Sequence, residues 1–246
     1  MAALRRNRAT RANRVADQRQ LAFDMPSSPS YATEDFVTSE GNKTARDLAV
    51  QLAWPIPVGL VVGERAAGKS HLAHMMADRF EHAVWLKQGV LGGLSDLDAR
   101  SILIIDGLET FMGDGGDAVF HALEAARAAQ APVFVTSREP PEALAFRKPD
   151  ALSRLRAGRR AEIQPPDDAL LAAIAVKLFT DRQLLVEADI AHYLLGRVER
   201  SYGQLADLTA QIDKRALEAG RSITKPLAGQ VLADFEAGQD NADRHD

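Results

Sequence analysis

The chain has no cysteine, which removes disulfides and thiolate metal sites and fits a reducing compartment. It also lacks any apolar run of the roughly 18–20 residues that a membrane span needs. No apolar segment follows the arginines near the N-terminus, so nothing there reads as a secretory signal. These absences predict a cytoplasmic protein with no membrane partner. An excess of positive charge is missing too. A formal net charge of −4 argues against a general nucleic-acid binder, which needs a dense cationic surface to meet phosphates. Cations crowd only the first stretch, where Arg5, Arg6, Arg8, Arg11, Arg14 and Arg19 are opposed by Asp17 alone. That arm reads either as a solvated tail or as a contact for DNA or an acidic partner.

What is present describes a folded domain. With 46% hydrophobic residues over 246 positions, the chain can bury one large core, or one core plus a small satellite. Residues 20–26 form a short island with apolar side chains, and the Pro- and Ser-containing stretch 26–30 reads as a linker. Thereafter short apolar strands are predicted at 58–62, 83–86, 102–105 and 133–136, separated by helical patterns at 70–80 and 118–129. Strands alternating with helices imply a mainly parallel sheet covered on both faces. After Ile163 strand patterns stop. Pro165-Pro166-Asp167-Asp168 caps a helix running to about Arg182, and further helices are expected at 189–199, 203–219 and 226–235, with a frayed polar tail from Gly238. The expected organisation is an arm over 1–30, a three-layer α/β core over 31–166, and a small all-α subdomain with a tail over 167–246.

Chemistry enters at Gly63-Glu64-Arg65-Ala66-Ala67-Gly68-Lys69-Ser70, which satisfies G-x-x-x-x-G-K-[ST] between a strand and a helix. In that setting backbone N–H groups cradle phosphates at the positive end of the following helix. Lys69 then reaches the β- and γ-phosphates, and the Ser70 hydroxyl ligates magnesium. A second magnesium partner is expected at the end of a neighbouring strand, where Ile102-Leu103-Ile104-Ile105 delivers Asp106 to the sheet's carboxyl edge. The next residue is Gly107, which offers no carboxylate to orient an attacking water. Glu109 lies close by in sequence with no direction assigned, and weak intrinsic hydrolysis is expected.

In this order the pieces resemble the DnaA-like branch of the AAA+ superfamily, from about Tyr31 to about Phe235. Tyr31, Asp35, Phe36, Val37 and Asn42 are similar to the box that precedes the first core helix, which implies that Phe36 and Val37 hold adenine. The 63–72 segment resembles Walker A, with His71 in its Ser-His-Leu ending, and 102–108 resembles Walker B. Thr136-Ser137-Arg138-Glu139-Pro140-Pro141 resembles the sensor 1 segment. Leu152-Ser153-Arg154-Leu155-Arg156-Ala157-Gly158 resembles the segment that carries the arginine finger, placing Arg154 at the finger; the alternative is that Arg154 and Arg156 form surface ion pairs. Gly203 falls where initiators carry their sensor 2 arginine. A short chain of this branch, without a helix-turn-helix domain after its lid, resembles the Hda regulatory inactivators.

Within that resemblance Gln20-Leu21-Ala22-Phe23-Asp24 is similar to the Q-L-x-[LF] peptides that dock on the replication sliding clamp. Leu21 and Phe23 would be the apolar anchors and the Gln20 amide would bond at the pocket edge. The implied ligands are ADP or ATP with Mg2+. The implied partners are DnaA and the sliding clamp (the β subunit of DNA polymerase III), with DNA reached through the clamp. Arg154 would complete the ATP site of DnaA, so that catalysis is supplied in trans and re-initiation is prevented. The competing expectations are a self-oligomerising AAA+ motor or helicase loader, and a nucleotide-gated adaptor at the clamp.

Overall fold

The computed structural model describes residues 31–50, 58–89, 92–182, 184, 186, 188–197, 201–219 and 223–242. The arm over 1–30, including Gln20, Leu21 and Phe23, lies outside the described residues.

Five parallel strands form one sheet: β1 (Val58–Val62), β2 (His82–Trp85), β3 (Ser101–Ile105), β4 (Val133–Ser137) and β5 (Arg159–Glu162), in the order β2-β3-β4-β1-β5. Every residue of β1, β3 and β4 is buried, as strands covered on both faces must be. The alternation of side chains divides them between two cores. Val61, Ile102, Ile104 and Phe134 pack with α1 (Lys43–Val50) and α2 (Lys69–Ala77). Leu60, Leu103, Ile105, Val133 and Val135 pack with α3 (Asp117–Ala129) and α4 (Pro149–Ala157). Strand β1, held between β4 and the edge strand β5, runs directly into the phosphate loop, and β3 and β4 end beside it.

Four further helices follow the sheet: α5 (Asp168–Asp181), α6 (Ala188–Leu195), α7 (Tyr202–Ala219) and α8 (Lys225–Ala242). Asp167 caps α5 by accepting from the Leu170 N–H at 2.7 Å. These helices close on a third apolar core containing Leu171, Phe179, Leu194, Leu208, Ile212, Val231 and Leu232. Helix α8 runs to Ala242, past Gly238 and past its last core residue, Phe235.

Strand β5 and helix α4 carry no clear strand or helix signal in the sequence. Strand β5 is Arg159-Arg160-Ala161-Glu162 at the sheet edge, with Ala161 alone buried, so the apolar run that identifies a strand is missing. It docks because Gly158 lets the chain approach β1 closely: a Cβ there would stand 2.8 Å from the Val58 carbonyl oxygen.

Candidate functional site

The phosphate loop takes its shape from two residues with left-handed backbone, Ala66 (φ 63°) and Gly68 (φ 87°). Gly68 has a second constraint, since a Cβ would meet the Phe36 ring at 3.1 Å. The Lys69 ammonium, 8% exposed, folds back over the loop and donates to the carbonyls of Gly63 (2.8 Å) and Glu64 (2.7 Å). Burial pulls Lys69 below the usual lysine range, opposed first by the charge of Glu109 and, more weakly, by those of Asp106 and Glu64.

Ser70 donates to Asp106 Oδ2 at 2.8 Å, so the hydroxyl at the start of α2 and the carboxylate at the end of β3 are neighbours. Thr136, fully buried in β4, locks the other side of that carboxylate. Its hydroxyl donates to Asp106 Oδ1 at 2.5 Å and accepts from the Gly107 N–H at 2.8 Å. Hard oxygen donors at this spacing suit Mg2+, which takes few protein ligands and keeps several waters beside phosphates. Sequence reasoning finds Ser70 and Asp106 but not Thr136, whose role is visible only when β3 and β4 are neighbours.

Beside the loop lies a cleft of about 410 Å³, lined by loop residues Ala66 to Ser70, by Tyr31, Phe36, Val37 and His71, and by lid residues Ile174, Lys177, Asp181 and Tyr202. Phe36 meets the His71 ring edge-on at 5.4 Å, and Tyr31 stacks on His74 at 4.1 Å. His71 Nε2 lies 2.7 Å from the Ala32 carbonyl oxygen. Burial draws His71 below its ordinary value and outweighs that hydrogen bond, which acts the other way. Asn42 fixes the wall by donating to the Val37 carbonyl (2.9 Å) and accepting from the Ser39 N–H (2.8 Å). A planar base fits between such apolar walls, with the phosphate cradle at one end. The lid residues Lys177 and Asp181, themselves an ion pair, face this cleft without any motif to announce them.

The variable positions of the phosphate loop hold the lid. The Glu64 carboxylate accepts from the Tyr202 N–H at 2.8 Å. The Arg65 guanidinium donates to the Gly203 carbonyl at 2.9 Å and forms an ion pair with Asp207. A Cβ on Gly203 would stand 3.1 Å from Arg65 Nη2, so the guanidinium occupies the space a larger residue at 203 would need. The Tyr202 hydroxyl, which donates to the Gln164 carbonyl at 3.3 Å, is pushed up to about 12 by burial first and then by the Glu64 and Asp167 charges.

Arg154 lies on α4, outside the residues lining the cleft. It forms an ion pair with Glu124 of α3, which also holds Arg127 at 3.2 Å. Arg156 pairs with Glu142 at 3.3 Å. Among the described residues no helix is long and apolar enough to cross a membrane.

Comparison with known proteins agrees with this fold. Residues 170–232 match the family model described as "Hda, lid domain". The chain is 23% identical over 234 residues to the chromosomal replication initiator protein DnaA of Burkholderia mallei, covering 85% of this chain and 44% of the relative. It thus spans less than half the length of the curated relatives it matches. Domain III of the Thermotoga maritima initiator DnaA superposes with a TM-score of 0.69 at 18% identity, over 85% of this chain and 98% of that one. The AMPPCP-bound DnaA of Aquifex aeolicus gives a TM-score of 0.58 at 18% identity, over 78% of this chain and 67% of the other. The RuvB branch migration motor of Thermotoga maritima gives 0.60 at 18% identity, over 83% and 72%. The α/β AAA+ fold is common to all of them.

Proposed function

We propose that this chain, a Hda/DnaA-like AAA+ protein, is a regulatory inactivator of the initiator DnaA: it holds a nucleotide and promotes hydrolysis of DnaA-bound ATP. The observation that carries the reading is an Hda-type lid joined to a DnaA-like core whose phosphate loop is intact.

The division of labour follows from the residues. Backbone N–H groups of the loop and Lys69 hold the phosphates of ADP or ATP, while Phe36, Val37 and His71 enclose the base. Ser70 and Asp106 would hold Mg2+, which neutralises phosphate charge where it binds. Glu64 and Arg65 tie the filled loop to the lid. Arg154 supplies a guanidinium to the γ-phosphate at DnaA's site, a contribution worth about 10³–10⁵ in rate in comparable systems. To do so it must exchange Glu124 for phosphate. Gln20, Leu21 and Phe23 would dock on the DNA-loaded sliding clamp and so restrict the activity to replicated DNA.

The test mixes purified clamp loaded on DNA, ATP-bound DnaA and this protein, and follows conversion to ADP-bound DnaA. Acceleration is expected, and Arg154→Ala removes it while leaving nucleotide binding by this protein intact. An Arg154→Ala variant as active as the parent rejects the mechanism. Acceleration that survives Leu21→Ala together with Phe23→Ala rejects the clamp contact alone.

A further inference from the structure

Position 107 has no side chain, yet the space beside it holds a carboxylate. Gly107 adopts left-handed backbone (φ 77°), and the turn that follows returns Glu109 toward the sheet. A Cβ built on Gly107 would lie 3.9 Å from Glu109 Oε1. The carboxylate of Glu109 thus lies within one side chain's reach of position 107.

Its partners fix it there. Glu109 Oε2 accepts from the Arg138 N–H at 3.1 Å and from the Ser137 hydroxyl at 3.4 Å, and Oε1 pairs with Arg138 Nε at 3.2 Å. Ser137 in turn accepts from the Gly63 N–H at 3.1 Å, and Gly63 accepts from Lys69 at 2.8 Å. A short chain of contacts therefore runs from Glu109 to the phosphate-binding lysine. Glu109 is only 20% exposed, whereas Arg138 is 54% exposed and on a side chain long enough to swing away.

We infer that Glu109 supplies the water-orienting carboxylate that position 107 lacks, so that this chain's own nucleotide site turns over slowly. The inference rests on the nucleotide-binding half of the proposed function and not on the action upon DnaA. The step balances simply. A water held by Glu109 gives its proton to the carboxylate as its oxygen bonds to the terminal phosphorus of a nucleoside triphosphate. The bond from that phosphorus to the bridging oxygen breaks, and the nucleoside diphosphate leaves with the electron pair. While Arg138 occupies Oε1, water has one oxygen fewer to bind, which accounts for slowness without removing the group.

The test uses the full chain alone with Mg2+, and measures binding of fluorescent ADP and ATP analogues beside single-turnover cleavage of ATP. The parent is expected to bind both and cleave slowly. Glu109→Gln is expected to bind ADP like the parent and to cleave about 10²-fold more slowly. It should also shift preference severalfold toward ATP, because a like charge has left the terminal phosphate's neighbourhood. Unchanged cleavage by Glu109→Gln, an unmoved ATP-to-ADP preference, or no cleavage by the parent each overturns the inference, the first two leaving Glu109 an ion-pair partner of Arg138 only. Lys69→Ala separates the two levels: if the parent binds no nucleotide, or Lys69→Ala binds as well as the parent, the nucleotide-binding reading itself fails.

Discussion

Replacing Thr136 with valine keeps the shape of a fully buried side chain and removes one oxygen. That oxygen donates to Asp106 at 2.5 Å and accepts from the Gly107 N–H at 2.8 Å. A hydrogen bond to a charged group contributes about 1.5–3 kcal/mol and a neutral one about 0.5–1.5 kcal/mol. Asp106 and Gly107 are half-buried, so water recovers part of both, and a net loss of about 2 kcal/mol is expected. In a chain of this size each kcal/mol moves Tm by about 2–4 °C, so Thr136→Val should melt about 4–8 °C lower. There is a second, more selective consequence. Asp106 keeps Ser70 as a partner but loses its brace toward β4, so the Mg2+-dependent part of nucleotide affinity falls more than the Mg2+-independent part. Thermal melts of the nucleotide-free protein, and ADP titrations with and without Mg2+, measure the two effects. Thr136→Ser, which restores the hydroxyl, should recover most of both. A Thr136→Val melt within about 1 °C of the parent, or equal affinity losses with and without Mg2+, would refute the reasoning.

Two predictions concern the cleft and the lid. Burial keeps folded His71 below the 6.5 of an unperturbed imidazole, so the unfolded chain takes up its proton first. Stability is therefore complete above about pH 6.5 and declines as pH falls through the lower folded value. Denaturant midpoints measured down to about pH 5 should show a smaller decline for His71→Gln, and equal slopes would exclude His71 as the source. Asp207→Asn breaks an ion pair between two half-exposed side chains, so global stability should change by less than about 1 kcal/mol. Hydrogen exchange in the first turns of α7 should nonetheless rise, and the idea fails if protection there is unchanged.

The parallel α/β core could be read from the sequence because β1, β3 and β4 are buried on both faces and so are written as unbroken apolar runs. Strand β5 could not, because an edge strand with one buried residue looks like any charged stretch. The same logic governs the site. Lys69 and Ser70 belong to one contiguous loop and Asp106 ends an apolar strand, so local pattern finds them. Thr136, Lys177, Asp181 and Glu109 come to the candidate site only through strand order, lid docking or a left-handed turn. None of those leaves a periodic mark. Gly203 is a different case. Its missing side chain is visible in sequence, but the Arg65 guanidinium packed against it, from 138 positions away, is not.

In the phosphate loop, phosphate recognition is done by backbone, which leaves the letters written x free of that duty. Here two of them have taken another. The side chains of Glu64 and Arg65 reach the first turns of α7. The motif therefore carries two messages, one shared with other phosphate loops and one written in this chain's own contacts with α7. A substitution at either position would pass any motif search unnoticed and still cut the loop's ties to the helical subdomain. Tolerance in the pattern is not tolerance in the protein.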